Sequence, residues 1–162
     1  MKELVRLAAY AGLPLGDILA LGWSEVELKT GCFRRRRQKT DEDLDIPVIP
    51  QLRDILLRAH MRQGRPRTGR VCSEAPQRGD SLTKPLQNPQ QAVGIPKAPA
   101  GESGWHRYRR SLATNLMRLG VPVPVIGAIL GHAHGSPATW IYEIPDRTDV
   151  EDAMRRYGEA LE

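Results

Sequence analysis

Residues 105–114 read Trp105-His106-Arg107-Tyr108-Arg109-Arg110-Ser111-Leu112-Ala113-Thr114. His106 and Arg109 lie three positions apart, so on a helix their side chains project from one face. Both stand in the first turn of the predicted helix, where backbone amides and the helix dipole favour an anion such as phosphate. A guanidinium offers two parallel donors to a phosphate, and an imidazole donates or accepts a proton. Taken alone, this H-x-x-R pair fits an exposed, solvated helix end better than a site.

The chain on either side of this segment is mainly helical in pattern. We predict helices over residues 3–11, 51–62, 106–118, 122–131 and about 148–161, and a short one that begins at Pro14 and runs to about Leu21. The last helix has an apolar stripe formed by Val150, Ala153, Met154, Tyr157 and Leu161. Residues 32–38 and 44–49 flank a polar turn and predict a β-hairpin.

Residues 64–104 differ from the rest because they contain six prolines and several glycines. We expect a long loop here, with a short helix near 87–94, and a loop of this length is usually functional or disordered. Neither side of it has a complete core, so we expect one domain over 1–162. The predicted fold is mixed and mainly α, with a small β-hairpin or three-stranded sheet on one side.

Four arginines follow one another in the first arm of the hairpin: Arg34, Arg35, Arg36 and Arg37. A strand sends neighbouring side chains to opposite faces, so both faces of this arm cannot be core. A solvated strand is the plain interpretation. Because Lys39 lies beside the run, we favour contact with phosphates.

The composition agrees with a polyanion as partner. The formal net charge is +5, from 24 Lys and Arg against 19 Asp and Glu, and each phosphate neutralised by such a side chain releases counterions. No apolar run approaches the roughly 20 residues of a membrane span, and the N-terminus is not a signal peptide. Cys32 and Cys72 are far apart, which disfavours a disulfide scaffold. We therefore expect a soluble, cytoplasmic protein without membrane contact.

The order of short motifs along the chain resembles the catalytic domain of the tyrosine recombinases, the phage-integrase family. After the H-x-x-R helix come Ala113-Thr114-Asn115-Leu116, Leu119-Gly120-Val121, Ile129-Leu130-Gly131-His132 and Thr139-Trp140-Ile141-Tyr142. Before it come Ala11-Gly12-Leu13 through Ala20-Leu21-Gly22-Trp23, and Lys39-Thr40 followed by Ile46-Pro47-Val48. The resemblance covers nearly the whole chain, and the motifs stand in the family's order.

This resemblance implies an integrase-like fold and a role for each matching residue. Tyr142 would attack a DNA phosphodiester, forming a 3′-phosphotyrosyl link and freeing a 5′-hydroxyl. Arg109 would stabilise charge on the phosphate, and Lys39 would donate a proton to the leaving oxygen. His106 and His132 would assist with hydrogen bonds and proton transfer. The resemblance implies double-stranded DNA as partner and no metal or other cofactor. We expect the DNA contacts to be made by Arg34, Arg35, Arg36, Arg37, Arg107 and Arg110.

The main departure from the family pattern is near the N-terminus; two smaller ones are Arg110, at a position often held by His or Lys, and a slightly longer gap from His132 to Tyr142. The family has an arginine directly after the Gly-Leu pair near the N-terminus, and this chain has Pro14. Loss of one such donor typically costs about two to three orders of magnitude in rate, so we expect impaired strand cleavage. Arg6, one or two helical turns upstream, is a less favoured substitute.

Several alternatives stay open at the level of sequence. Tyr142 lies between Ile141 and Ile144, company that is typical of a packing residue. The chain is interpreted as a recombinase catalytic domain, as a degenerate relative that binds DNA or partner recombinases without cutting, or as an unrelated basic helical module. We also expect that the family's N-terminal core-binding domain is absent. The last helix is expected to pack on a neighbouring protomer when the protein assembles on DNA.

Overall fold

The computed structural model describes residues 2–36, 43–76, 82, 86, 90–98, 104–131 and 145–162. The main helices in these ranges are α1 Lys2–Ala11, α2 Leu15–Ala20, α3 Pro50–Arg62, α4 His106–Arg118, α5 Val123–Leu130 and α6 Arg147–Glu159. The strands are β1 Val26–Glu27, β2 Cys32–Arg36 and β3 Asp43–Pro47. The predicted mixed, mainly helical fold with a small sheet is therefore confirmed.

The sheet has three antiparallel strands in the order β1-β2-β3. Its register places Phe33 opposite Ile46 and Arg34 opposite Asp45. Phe33 and Ile46 are both buried, which makes one face of the hairpin part of the core, as the alternation of β3 predicts. Of the two predicted alternatives, the three-stranded sheet is the one that forms.

The helix α1 forms because its apolar residues recur at helical spacing: Leu4, Leu7, Ala8 and Ala11 are all buried. It ends at Ala11, directly before Gly12, whose φ of +63° lies in the left-handed region and whose N–H donates to the Ala8 carbonyl at 3.2 Å. A Cβ at position 12 would lie 2.6 Å from Cδ2 of Leu112. Position 12 therefore requires glycine both for its backbone conformation and for the close contact between α1 and α4.

The helices α4 and α5 carry the centre of the core. Leu112 and Leu116 of α4 are fully buried, and α5 has buried side chains on several sides. The turn between them contains Gly120 with a φ of +73°, and α5 ends at Gly131 with a φ of +61°. The predicted bounds of α4 are those observed, and α5 is one residue shorter at each end than predicted.

The last helix, α6, begins with a capping box in which Asp146 accepts from the Asp149 N–H at 2.9 Å and Asp149 accepts in return at 3.1 Å. Four members of the predicted stripe are buried: Val150, Ala153, Met154 and Tyr157. Leu161 was wrongly included, because the helix ends at Glu159 and Leu161 is 40% exposed beyond it. The buried stripe packs against α4, α5 and the sheet of its own chain.

Part of the proline-rich stretch over residues 64–104 belongs to the hydrophobic core. The backbone of residues 69–71 pairs with that of residues 21–23, through bonds of 2.9 Å from Trp23 N–H to Gly69 and from Val71 N–H to Leu21. Val71, Cys72, Leu82 and Leu86 are buried. Of the predicted short helix, residues 90–92 are helical, 93–94 form a turn, and 87–89 lie outside the described residues.

In the ranges given above, no helix is long and apolar enough to cross a lipid bilayer.

Candidate active site

The first turn of α4 is held in place by two aromatic residues. Trp105, just before the helix, is buried, and its ring centre lies 6.0 Å from that of Tyr108. The Tyr108 hydroxyl accepts a 3.0 Å hydrogen bond from Gln90 Nε2, so this tyrosine anchors the segment around residue 90. His106, the first residue of α4, is exposed. The first turn of α4 is therefore fixed by the packing of Trp105 and Tyr108, and its histidine is exposed to solvent.

Arg109 is half-buried and joins three separate parts of the chain. Its Nη1 donates to the Gly12 carbonyl at 2.8 Å, and its Nη2 donates to the Leu130 carbonyl at 2.6 Å. Gly12 follows the last residue of α1, and Leu130 is the last residue of α5. Helix C-termini carry unpaired carbonyls and partial negative charge, and charge-assisted hydrogen bonds of this length are strong. The guanidinium is therefore held where two helix ends meet the first turn of α4.

Pro14 lies two residues after the Gly12 carbonyl, in the loop that leads into α2. It is the N-cap of α2, with φ −57° and ψ 148°, and not the first helical residue as predicted. The extended ψ puts the Pro14 carbonyl at the start of the helix, where it accepts from the Ile18 N–H at 3.0 Å. The position expected to carry the family's first arginine is therefore two residues from a carbonyl that Arg109 contacts, but proline brings no side-chain donor.

Arg6 lies in a different place from Arg109. It is exposed and lines a cleft between α1 and α3, together with Tyr10, Asp54 and Arg58. Six residues of helix, or about 9 Å of axial rise, separate it from Gly12. This location does not favour Arg6 as the substitute for the missing arginine.

The arginine run of the hairpin is described in part. Arg34 is exposed and forms a 3.6 Å ion pair with Glu27 on the neighbouring strand. Exposed pairs of this kind contribute little to stability. Arg35 and Arg36 lie in β2, but their side chains, like the whole of Arg37, lie outside the described residues.

The remaining predicted DNA contacts lie on α4. Arg110 is exposed. Arg107 donates from Nη1 to the Pro96 carbonyl, which ties residues 90–98 to the start of α4. This bond and the bond from Gln90 to Tyr108 were not predicted, because partners in an irregular segment leave no periodic signal in the sequence.

Three predicted catalytic residues lie outside the described residues: Lys39, His132 and Tyr142. The described chain stops at Gly131, directly before His132, and resumes at Pro145.

The other tyrosines have packing roles. Tyr157 is buried and its hydroxyl donates to the Ala9 carbonyl at 3.3 Å, while burial raises the pKa of this phenol. Tyr10 is half-buried against the core, and Tyr108 bonds Gln90. The hydroxyls of Tyr108 and Tyr157 are thus engaged in hydrogen bonds, and Tyr10 packs against the core.

The described ranges contain no group of three His, Cys, Asp or Glu side chains that could hold a metal ion.

The sequence matches that of known proteins over most of its length. The model of the phage integrase family matches residues 1–147. An integrase/recombinase, y4gC, of Sinorhizobium fredii is 31% identical over 134 residues, which are 80% of this chain and 68% of that protein. A tyrosine recombinase XerC-like protein of Caldanaerobacter subterraneus is 25% identical over an alignment that covers 88% of this chain and 45% of that protein.

A solved structure has the same fold. The integrase from mycobacterium phage Brujita superposes with a TM-score of 0.71 at 18% identity, over 96% of this chain and 50% of that one. The chain thus spans about half of this integrase and of the XerC-like protein. The family match covers most of the sequence, and the chain belongs to the phage integrase family of tyrosine recombinases.

Proposed function

We propose that this chain is a DNA-cleaving catalytic domain of a site-specific recombinase, and that Pro14 slows its strand cleavage. The observation that carries the proposal is the pair of bonds from Arg109 to the carbonyls of Gly12 and Leu130. Through them, the H-x-x-R helix α4, the turn at Gly12 and the end of α5 at Leu130 meet at one cation. These are the segments that family members use to surround a scissile phosphate.

In the proposed reaction, the Tyr142 hydroxyl attacks the phosphorus of a DNA phosphodiester. The tyrosine–phosphorus bond forms while the bond to the 5′-oxygen breaks, and Lys39 supplies the proton to that leaving oxygen. His106 and His132 take part in hydrogen bonding and in removing the tyrosine proton. Arg109 stabilises the negative charge on the phosphate oxygens. Because a guanidinium has five N–H donors, it can bond to the two carbonyls and to a phosphate at the same time.

The expected impairment follows from the location of Pro14. A second guanidinium at this position would stand two residues from the carbonyl that Arg109 contacts. Proline supplies no donor there, so part of the negative charge that develops in the transition state lacks a partner. The φ of −57° at Pro14 is open to any L-residue, which makes arginine compatible with the backbone.

The proposed substrate is double-stranded DNA, supported by family membership and by the net charge of +5. Binding should weaken steeply with salt, because each neutralised phosphate contributes about 0.9 to the slope of log K against log salt concentration. Replacing Arg34, Arg35, Arg36 and Arg37 by glutamine should lower that slope by up to about 3 to 4. Arg62→Gln is the control, because Arg62 already pairs with Glu3 on α1.

Covalent trapping on a nicked duplex tests the cleavage proposal. The substrate releases a short strand after cutting, so a phosphotyrosyl adduct accumulates and survives denaturation. We expect a weak adduct with the natural chain, none with Tyr142→Phe, and a rate about 100 to 1,000 times higher with Pro14→Arg. Tyr10→Phe is the matched control and should trap as much adduct as the natural chain, since Tyr10 lies in the cleft between α1 and α3 and takes no part in the proposed reaction.

A second function is favoured by Pro14 itself: a relative that binds DNA or a partner recombinase without cutting. Salt-sensitive DNA binding with no adduct from the natural chain or from Pro14→Arg would support it and refute the first proposal. An adduct that persists in Tyr142→Phe would also refute the assignment of Tyr142. The family match sets aside an unrelated basic helical module.

Assembly through α6 remains a proposal. The buried stripe of this helix is occupied within the chain, so a neighbouring protomer would have to use its exposed face. Arg155→Glu changes that face without touching the core, and sedimentation on a bound duplex would report the number of protomers. An unchanged number would count against assembly through α6.

A further inference from the structure

We propose that Gly12 is a positioning residue: its left-handed backbone directs the carbonyl that holds the guanidinium of Arg109. The claim that Gly12 positions the guanidinium rests on the geometry alone, whereas the claim that this positioning affects DNA cleavage rests on the proposed function. Gly12 would act through Arg109 without touching DNA.

The two carbonyls that Arg109 contacts belong to helix ends of the same type. The Gly12 N–H bonds the Ala8 carbonyl at 3.2 Å, and the Gly131 N–H bonds the Ala128 carbonyl at 2.8 Å and also the Gly127 carbonyl. Both glycines have a left-handed conformation, with φ of +63° and +61°. This turn ends each helix abruptly and leaves nearby carbonyls for a side-chain donor.

The electrostatics of this arrangement fix the cation before any phosphate arrives. Each helix C-terminus behaves as roughly half a negative charge, and two of them face one guanidinium. The guanidinium therefore has a preferred location set by the protein. Preorganised donors of this kind need no rearrangement during the reaction.

Position 12 is coupled sterically to both sides of the contact. A Cβ there would lie 2.6 Å from Cδ2 of Leu112 and 3.0 Å from Cδ2 of Leu130. Leu112 is on α4, one turn after Arg109, and is fully buried, so it has little room to move. Leu130 supplies the second carbonyl. A single methyl group would press on the helix that carries the arginine and on the residue that accepts its other bond.

The experiment compares Gly12→Ala with Gly120→Ala by NMR of the arginine Nη–H groups at low temperature. Gly120 has a φ of +73° and follows α4, but no heavy atom lies within 4 Å of its Cβ position. Both variants therefore strain the backbone, and only the first presses on Leu112 and Leu130. Arg109→Lys assigns the signals. We expect the slowly exchanging Arg109 signals to persist in Gly120→Ala and to shift or disappear in Gly12→Ala.

A second variant does not depend on how well Gly12→Ala folds. Replacing Leu13 by its α-hydroxy acid turns the Gly12–Leu13 amide into an ester, which weakens the Gly12 carbonyl as an acceptor without changing any side chain. We expect the Nη1 signal of Arg109 to move while the Nη2 signal, which reports the Leu130 bond, stays. Unchanged Arg109 signals in this ester variant, or in a folded Gly12→Ala, would overturn the inference.

The effect on cleavage is measured in the Pro14→Arg background with the nicked duplex. Displacement of a catalytic group by about 1 Å can cost about 100-fold in rate. We expect a loss of that order in Gly12→Ala, with duplex affinity and the rate of Gly120→Ala unchanged. A normal rate from Gly12→Ala would overturn the positioning role. Absence of adduct from every variant would refute the proposed function, and the NMR comparison would still decide whether Gly12 positions Arg109.

Discussion

Replacement of Arg109 by methionine should destabilise the fold in addition to any effect on DNA cleavage. Methionine keeps much of the apolar stem and removes the guanidinium. The carbonyls of Gly12 and Leu130 then lose their charged donor at the ends of α1 and α5. The variant therefore tests whether a residue assigned to chemistry also joins two helices.

The magnitude follows from the two hydrogen bonds. A hydrogen bond to a charged group contributes about 1.5 to 3 kcal/mol net, and the helix-dipole attraction is part of the same interaction, so the two are not added. Because Arg109 is half-buried, water can reach the carbonyls after the substitution, and we take the lower value for each bond. The expected loss is about 3 kcal/mol in the free energy of unfolding, or about 6 to 12 °C in Tm for a domain of this size.

Urea denaturation followed by circular dichroism measures this loss, with Arg118→Met as the control. Arg118 is exposed in the last turn of the same helix, so its replacement should change stability by less than about 0.5 kcal/mol. If Arg109→Met is as stable as the control, the bonds to Gly12 and Leu130 contribute nothing to folding and our account of this contact is wrong.

Three further predictions concern the rest of the molecule. Burial raises the pKa of the Cys72 thiol from 9.0 to about 11. Because the thiol ionises at lower pH in the unfolded chain than in the folded one, the free energy of unfolding should fall between about pH 9 and 11. Thermal melts over this pH range should show a smaller decline in Tm for Cys72→Ala. The Gln63 side chain accepts a hydrogen bond from the Trp23 indole at 2.9 Å and donates one to the Val71 carbonyl at 2.8 Å. Gln63→Met should therefore lower the free energy of unfolding in urea by about 2 to 4 kcal/mol. The control Gln91→Met, at an exposed position, should change it by almost nothing. Asp146→Ala should lower the free energy of unfolding by about 1 kcal/mol, because it removes the N-cap of α6. The control is Asp152→Ala, which removes only an exposed ion pair with Arg155. An effect of Asp146→Ala no larger than that of the control would contradict the capping role.

The parts of the fold that could be predicted are those with local causes. The bounds of α4 follow from helical periodicity and from Gly120, and the hairpin follows from alternation around a polar turn. Family motifs located Arg109, and the helix break located Gly12. Each of these signals lies within a few residues of the feature that it predicts.

The parts that could not be predicted depend on contacts between distant segments. Arg109 and Gly12 are 97 positions apart, and the acceptor is a backbone carbonyl, which every residue has. Val71 is buried because its segment pairs with Leu21, although nothing periodic marks the proline-rich stretch around it. Leu161 fits the apolar stripe of α6 but lies past its last turn. Periodicity alone cannot supply any of these three facts.

The bond from Tyr157 to the carbonyl of Ala9 has a consequence for synthesis on the ribosome. The two residues are 148 positions apart, so about 7 to 30 s of translation separate them at 5 to 20 residues per second. During that interval the Ala9 carbonyl lacks its partner in α6. For most of it α1 also lacks α4, the helix against which it packs most extensively, so its apolar surface stays open to chaperones or to other nascent chains. Native packing of this domain is therefore a late event, and its yield in a cell should depend on how well the early helices are protected while the last one is made.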